Sequence, residues 1–268
     1  MNGRPGMPSL GGGRVLLGGH RGDRAHCPEN TMASFRAAVE LGIDAIETDV
    51  RMTRDGHLVL IHDREVDRTT NGSGRVDEMT LSEVRALDAG SWKDPRFAGE
   101  KIPTAEEFLD LMAGNDLLIN WELKEYPRDF GEDRARATVD RLVGLIDRFG
   151  VADRSILNSY SDRLLEYAAD RWPGKFALHG YPHYRSPKDV PEKPLLSFLD
   201  WAVIWDRAED HPAGLARDYA EAKAAGLRCC ILVHDVEEEY RAALALGCDM
   251  FTSDDPATAK KILKDLLA

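Results

Sequence analysis

Apolar residues recur along this 268-residue chain in short runs separated by longer amphipathic stretches. The runs at 15–20, 45–50, 58–62, 117–123, 155–160, 176–181, 202–205, 228–234 and 250–253 have the length and flanking residues of strands. The stretch 31–41 carries Phe35, Ala38 and Val39 at helical spacing and stops at Gly42, and 135–149 and 237–246 repeat that pattern. Strands alternating with helices predict a mostly parallel sheet wrapped by helices. The length is close to the ~250 residues of a (β/α)₈ barrel. The predicted fold class is therefore α/β, a (β/α)₈ TIM barrel, with 1–268 as one domain.

Nine runs are one more than such a barrel closes with. The turn signal Thr53-Arg54-Asp55-Gly56 predicts a hairpin between the second and third runs, which makes one of them the surplus strand. Between 64 and 103 the alternation fails, and the stretch is polar, with turn signals at Asn71-Gly72-Ser73-Gly74 and Trp92-Lys93-Asp94-Pro95. It reads as a small insertion after the third strand-like segment, lying over one mouth of the barrel. Residues 1–13, rich in Gly and Pro, read as a loose tail, and no internal repeat is evident.

Hydrophobic residues make up 43% and charged residues 31%, the balance of a globule that can bury a full core. The formal net charge of −12 disfavours nucleic acid or an anionic membrane surface as partner, so an anionic substrate would need local positive charge. Cys27, Cys229, Cys230 and Cys248 lack CxxC spacing and read as buried apolar side chains. No apolar run of about 7 to 15 residues opens the chain as a signal peptide would, and none of about 20 residues follows. The expectation is a cytoplasmic protein without an integral membrane segment; the oligomeric state is left open.

Glu47 and Asp49 lie two apart on a strand, so they share one face while Ile46 and Val50 take the other. If that face is the barrel interior, two neighbouring anions are desolvated together, which requires a cation or a proton. Glu122 and Lys124 repeat the spacing at the end of a later strand. An isolated acidic pair is ordinarily solvated or salt-bridged, but three carboxylates closing strands converge where barrel active sites sit. Oxygen-only ligands suit one divalent cation, Mg²⁺ or Ca²⁺, with Mn²⁺ as a further option. His20 and His62 end strand runs on either side of Glu47 and Asp49 in sequence and would supply a general base and a general acid. Arg21 adds a bidentate partner for a phosphate oxygen, and Gly22 allows close backbone approach.

Gly19-His20-Arg21-Gly22, Pro28-Glu29-Asn30-Thr31 with Ser34-Phe35, Ile46-Glu47-Thr48-Asp49-Val50, Thr53-Arg54-Asp55-Gly56 and Ile61-His62-Asp63 follow one another in order. Arg68-Thr69-Thr70 with Gly74, Leu87-Asp88, Ile102-Pro103-Thr104 and Glu122-Leu123-Lys124 continue the register. Over about residues 18–125 the chain closely resembles the glycerophosphodiester phosphodiesterases, and more weakly beyond. The resemblance implies a phosphodiesterase barrel of the phosphatidylinositol phospholipase C type. It implies an acid/base pair of His20 and His62, one divalent ion held by Glu47, Asp49 and Glu122, and phosphate binding by Arg21 and Lys124. The reaction implied is metal-dependent release of sn-glycerol 3-phosphate and an alcohol from a glycerophosphodiester, a deacylated phospholipid.

The chain departs from that family at Asp23-Arg24-Ala25-His26-Cys27, at Ile231-Leu232-Val233-His234-Asp235 and at Ser253-Asp254-Asp255-Pro256. His179, Tyr181, Trp205 and His234, at strand ends, are further candidates to face the leaving group; each is equally open to a role at the rim or in the core. Two alternatives accompany the main reading. One is a related phosphodiesterase acting on a sugar-phosphate or lysophospholipid diester. The other is a barrel that binds a phosphodiester without turning it over.

Overall fold

The computed structural model describes residues 14–182, 189–204 and 213–268. Its strands are β1 Leu16–His20, β2 Ala45–Met52, β3 Leu58–Leu60, β4 Leu118–Leu123, β5 Ser155–Asn158, β6 Ala177–Gly180, β7 Trp201–Ile204, β8 Arg228–Val233 and β9 Met250–Ser253. The helices among the described residues are α1 Met32–Leu41, α2 Leu81–Ala86, α3 Ala105–Met112, α4 Pro127–Phe130, α5 Glu132–Phe149, α6 Asp162–Arg171, α7 Ala213–Ala224, α8 Glu237–Ala245 and α9 Pro256–Leu266. None of them is long and apolar enough to cross a membrane.

Eight strands run parallel in the order β1-β9-β8-β7-β6-β5-β4-β2, and pairing of β1 with β2 closes them into a TIM barrel. The surplus strand is β3. One edge of β2 pairs with β4 along Ala45 to Val50, while β1 covers the other edge only from Ala45 to Glu47. β3 then folds back antiparallel on Val50 to Met52, as the turn signal requires. The hairpin brings the segment that follows it, with His62, to the mouth of the barrel.

Alternation along the strands sorts side chains as the sequence predicts. Ile46, Val50, Ile119, Trp121 and Leu157 pack outward into the large apolar layer beneath the helices. One residue from each parallel strand, Leu16, Ala45, Leu118, Ile156, Ala177, Trp201, Cys230 and Met250, forms a separate apolar cluster inside the barrel. This layer seals the interior from below. Above it the inward positions turn polar, and there the strand carboxylates lie.

Element ends reflect local caps. Thr31 accepts from the Ser34 amide at the start of α1, and Gly42 at φ 62° ends it. Thr104 and Glu107 form a reciprocal capping box on α3, satisfying two otherwise orphaned amides. α5 starts earlier than the periodicity suggests, with Glu132 and Asp133 in its first turn, where the helix dipole favours negative charge. β3, β5 and β8 stop one or two residues before the apolar runs do, because His62, Tyr160 and His234 leave the ladder at the rim.

Residues 64–103 contain α2 and a small apolar cluster of their own, built from Val66, Val76, Val84, Ala89 and Ile102 against Val59 and Ile61. Lys93 donates to the Arg24 carbonyl at 2.9 Å and Arg96 to the His26 carbonyl at 2.9 Å, which anchors the segment against the loop that follows β1. The four cysteines are buried and form no disulfide.

Trp201, 1% exposed, is the largest side chain of the internal apolar layer and lies under the Arg228 guanidinium at 4.2 Å. Trp201→Ala is expected to cost about 3–5 kcal/mol of stability. Urea unfolding would measure it, and a loss below about 1 kcal/mol would mean that the layer does not support the barrel.

Candidate active site

The inward side chains above the apolar layer open into one cavity of about 290 Å³ at the barrel mouth. His20, Arg21, Glu47, His62, Glu122 and Lys124 all line it, and Asp49 lies directly behind the wall, fully buried. The register explains this gathering. His20 is opposite Glu47 across β1 and β2, and Asp49 is opposite Glu122 across β2 and β4.

Glu47, Asp49 and Glu122 each offer an oxygen such that all three lie within 4.8 Å of one another. Lys124 Nζ is 3.1 Å from Asp49 Oδ1 and also donates to Glu122 Oε1. Arg21 Nε is 3.2 Å from Asp49 Oδ2, and the Asn30 amide donates to the same oxygen at 2.7 Å. Burial alone would raise the pKa of Asp49, but Lys124 and Arg21 outweigh it and hold the carboxylate ionised, far below its ordinary range. Burial, then Asp49 and Glu122, push Glu47 well above the ordinary carboxylate value. Its Oε2 accepts from the Arg21 amide at 3.0 Å, while buried Oε1 has no hydrogen-bond partner. An unpartnered buried carboxylate oxygen beside two more carboxylates is the donor set of a hard divalent cation.

Local backbone geometry aims these groups. Arg21 at φ 56°, Gly22 at φ 82° and Asn30 at φ 52° are left-handed. A Cβ on Gly22 would meet Ser34 Oγ at 2.3 Å, so only glycine lets the loop lie against α1. That turn points the Arg21 amide at Glu47 and its guanidinium at Asp49.

Each histidine is held from behind. His20 Nδ1 is 2.6 Å from Asp254 Oδ1, and His20 Nε2 faces inward, 3.9 Å from Glu47 Oε2. His62 Nδ1 is 2.6 Å from Asp63 Oδ1. With Nδ1–H donated to a carboxylate, a neutral ring presents its Nε2 lone pair to the cavity. Burial lowers the pKa of both rings, against the partial opposition of Asp254 for His20 and of Asp49 for His62. Both therefore favour the neutral, proton-accepting form more than a free imidazole does.

His179 and Tyr181 also line the cavity. His234 does not: it stands at the rim with an 85% exposed side chain and is held by Glu239 at 3.1 Å, while Leu232 lines the wall of β8 instead. Strand β8 ends at Val233, so the inward alternation is lost before His234. Trp205 lies outside the described residues.

Several members of the site were not assigned roles from the sequence. Asp63 adjoins His62 and was legible as its partner. Asp254 reaches His20 only because β1 and β9 are neighbours, across 234 residues of sequence. Glu29 binds Arg21 at 2.7 Å and Arg68 at 2.8 Å, and Arg68 also grips Asp63 at 2.5 Å. Arg24 approaches Asp254 at 3.4 Å and lines the cavity. These are the charge partners that keep His20, His62 and Arg21 in place.

A parallel barrel with three carboxylates, two oriented imidazoles and two cations at its mouth is equipped to bind a cation and a phosphate together. Residues 20–258 match the profile of the "Glycerophosphoryl diester phosphodiesterase family", and the chain belongs to this family. A "Glycerophosphodiester phosphodiesterase" of Caldanaerobacter subterraneus is 43% identical over 152 residues, covering 55% of this chain and 59% of that protein. The aligned stretch thus spans about three-fifths of that relative's length. A solved structure from Silicibacter pomeroyi superposes with a TM-score of 0.80 at 26% identity, covering 94% of both chains. An Oleispira antarctica phosphodiesterase, solved in complex with the product sn-glycerol-3-phosphate, gives 0.78 at 26% identity, covering 94% of this chain and 97% of that one.

Burial would raise the pKa of Glu29, but Arg68 and Arg21 outweigh it and lower the pKa from 4.5 to about 2. A depressed carboxylate pKa contributes stability that is present above the unfolded value and lost as pH falls through the folded one. Stability should therefore fall between about pH 4.5 and 2, and Glu29→Gln should flatten that part of the profile. Urea midpoints across this range test it; an unchanged acid slope in the variant would show that the pairing is energetically silent.

Proposed function

We propose that this chain hydrolyses glycerophosphodiesters to sn-glycerol 3-phosphate and an alcohol, with one divalent cation held by Glu47, Asp49 and Glu122. The observation that carries the reading is the inward convergence of two carboxylate-backed imidazoles on one three-carboxylate cluster. Family membership across residues 20–258 supports it, as does the product bound in the Oleispira relative.

When bound, such an ion neutralises phosphate charge and acts as a Lewis acid on a phosphoryl oxygen. Arg21 and Lys124 stand beside the same carboxylates and add fixed positive charge where negative charge develops at phosphorus. One histidine accepts the proton of the nucleophile, either water or the substrate's neighbouring hydroxyl, at its Nε2. The other, entering the reaction as an imidazolium supported by its neighbouring carboxylates, gives its Nε2 proton to the departing alkoxide and is left neutral. Asp254 and Asp63 hold the two rings in position through Nδ1. Mg²⁺ and Ca²⁺ both suit the all-oxygen donor set.

Release of sn-glycerol 3-phosphate from glycerophosphocholine should be abolished by EDTA and restored by added Mg²⁺ or Ca²⁺. His20→Ala and His62→Ala should each lower kcat by 10²–10⁴-fold, the usual contribution of general acid–base catalysis. Full activity in EDTA after dialysis would remove the cation from the reading. Full activity of either alanine variant would remove that imidazole.

A further inference from the structure

In the wall of the cavity two buried side chains each keep an unused polar atom. Asn158 on β5 and His179 on β6 are register partners, 2% and 1% exposed, and both line the cavity. The Asn158 amide nitrogen donates to the Tyr181 hydroxyl at 3.3 Å, while its Oδ1 has no partner. His179 Nδ1 faces Asn120 Oδ1 at 3.5 Å, and its Nε2 has no partner. Burial alone lowers the His179 pKa to about 3, so the ring is neutral near pH 7. A neutral ring that turns Nδ1–H to a carbonyl oxygen presents a lone pair at Nε2. Both unused atoms are then acceptors.

Buried polar atoms without partners are rare and costly, and two acceptors side by side in a cavity wall call for a ligand with two donors. A phosphate or carboxylate has none to give. A pair of hydroxyls does. Tyr160 and Tyr181, stacked at 3.8 Å, add an apolar face beside these atoms against which carbon can lie.

We propose that His179 and Asn158 form the subsite for the glycerol diol, so that the glycerol half of the diester enters first and the leaving alcohol stays at the open mouth. The inference rests on the phosphodiesterase reading above and adds the orientation of the substrate. Two features of the barrel favour this orientation over its reverse. The apolar layer of eight side chains closes the cavity below, so this end fits a group of fixed size. Asn158 is also the register partner of Glu122, which places the diol subsite next to the level of the carboxylates and hence of the phosphate.

The test is calorimetric binding, which needs no turnover, of sn-glycerol 3-phosphate and of propyl phosphate, its analogue lacking both hydroxyls, with Mg²⁺ present. Wild-type protein should prefer the diol by on the order of 10²-fold or more, since sites built to hydrogen-bond a hydroxyl discriminate strongly against its loss. His179→Leu and Asn158→Leu should each weaken sn-glycerol 3-phosphate toward propyl phosphate while leaving propyl phosphate within about threefold. His179→Gln, which keeps an acceptor, should recover part of the preference, and circular dichroism would confirm that each variant is folded. Equal binding of the two ligands by wild-type protein, or equal weakening of both in folded His179→Leu, would overturn the diol subsite alone. Binding of neither ligand by wild-type protein would instead overturn the phosphodiesterase reading on which it rests.

Discussion

The constraint on which the site depends is the burial of three carboxylates whose facing oxygens lie within 4.8 Å of one another. Two unit charges about 4 Å apart at an effective dielectric near 20 repel by about 4 kcal/mol, a large part of the ~5–15 kcal/mol that holds a domain folded. Such a cluster cannot stand uncompensated, and the surrounding structure supplies the compensation. Lys124, Arg21 and Asn30 all converge on Asp49, which stays ionised, while burial and the neighbouring carboxylates push the pKa of Glu47 well above its ordinary value. The left-handed turn through Arg21 and Gly22 and the close approach to Ser34 follow from the same requirement, because only that path aims both the amide and the guanidinium of Arg21 at the carboxylates.

The two imidazoles reach this cluster by unrelated routes, and each route is a consequence of barrel closure. His20 ends the first strand and is held by Asp254 just past the last one, so its orientation depends on the chain's two ends meeting at the β1–β9 seam. His62 follows the short antiparallel strand that occupies the edge of β2 left free above β1. Strand β3, superfluous to the barrel, thereby places His62 at its mouth. Glu29, Arg68 and Asp63 form a chain of ion pairs that ties the post-β1 loop to the segment after His62, so the two imidazole supports are mechanically joined.

Whatever obeyed the period-two rule was legible in the sequence. Glu47 and Asp49 were placed on the inward face by Ile46 and Val50 on the outward one, the turn at Thr53 to Gly56 announced the hairpin, and the nine apolar runs all became strands. The reading weakened where the chain leaves the ladder. His234 has an inward spacing but sits one residue past the end of β8, where no neighbouring strand holds it, and it turns to Glu239. Asp254 was visible only as part of a late acidic motif, because nothing local announces a partner across the barrel seam. Asn158 carried no signal in the sequence and His179 only its place at a strand end, where it was a candidate for the leaving group; the polar atoms they leave without partners come from the structure alone.

Long-range and short-range electrostatics act in opposite directions on a phosphodiester approaching this barrel. The net charge of −12 would repel an anion in bulk, yet at physiological ionic strength charges beyond about 8 Å are largely screened. A phosphodiester at the mouth would meet Arg21, Arg24 and Lys124, which line a cavity whose walls limit screening. The acidic surface therefore sets general repulsion, and the cations at the strand ends set local attraction. Arg24 belongs to a stretch where the chain departs from its family, and it faces the mouth, the end at which diesters with a common glycerol half would differ. On the proposed reading, chemistry is tied to strand register, which changes only with the fold, whereas selection among leaving alcohols falls to loop residues at the rim, which can change without disturbing it.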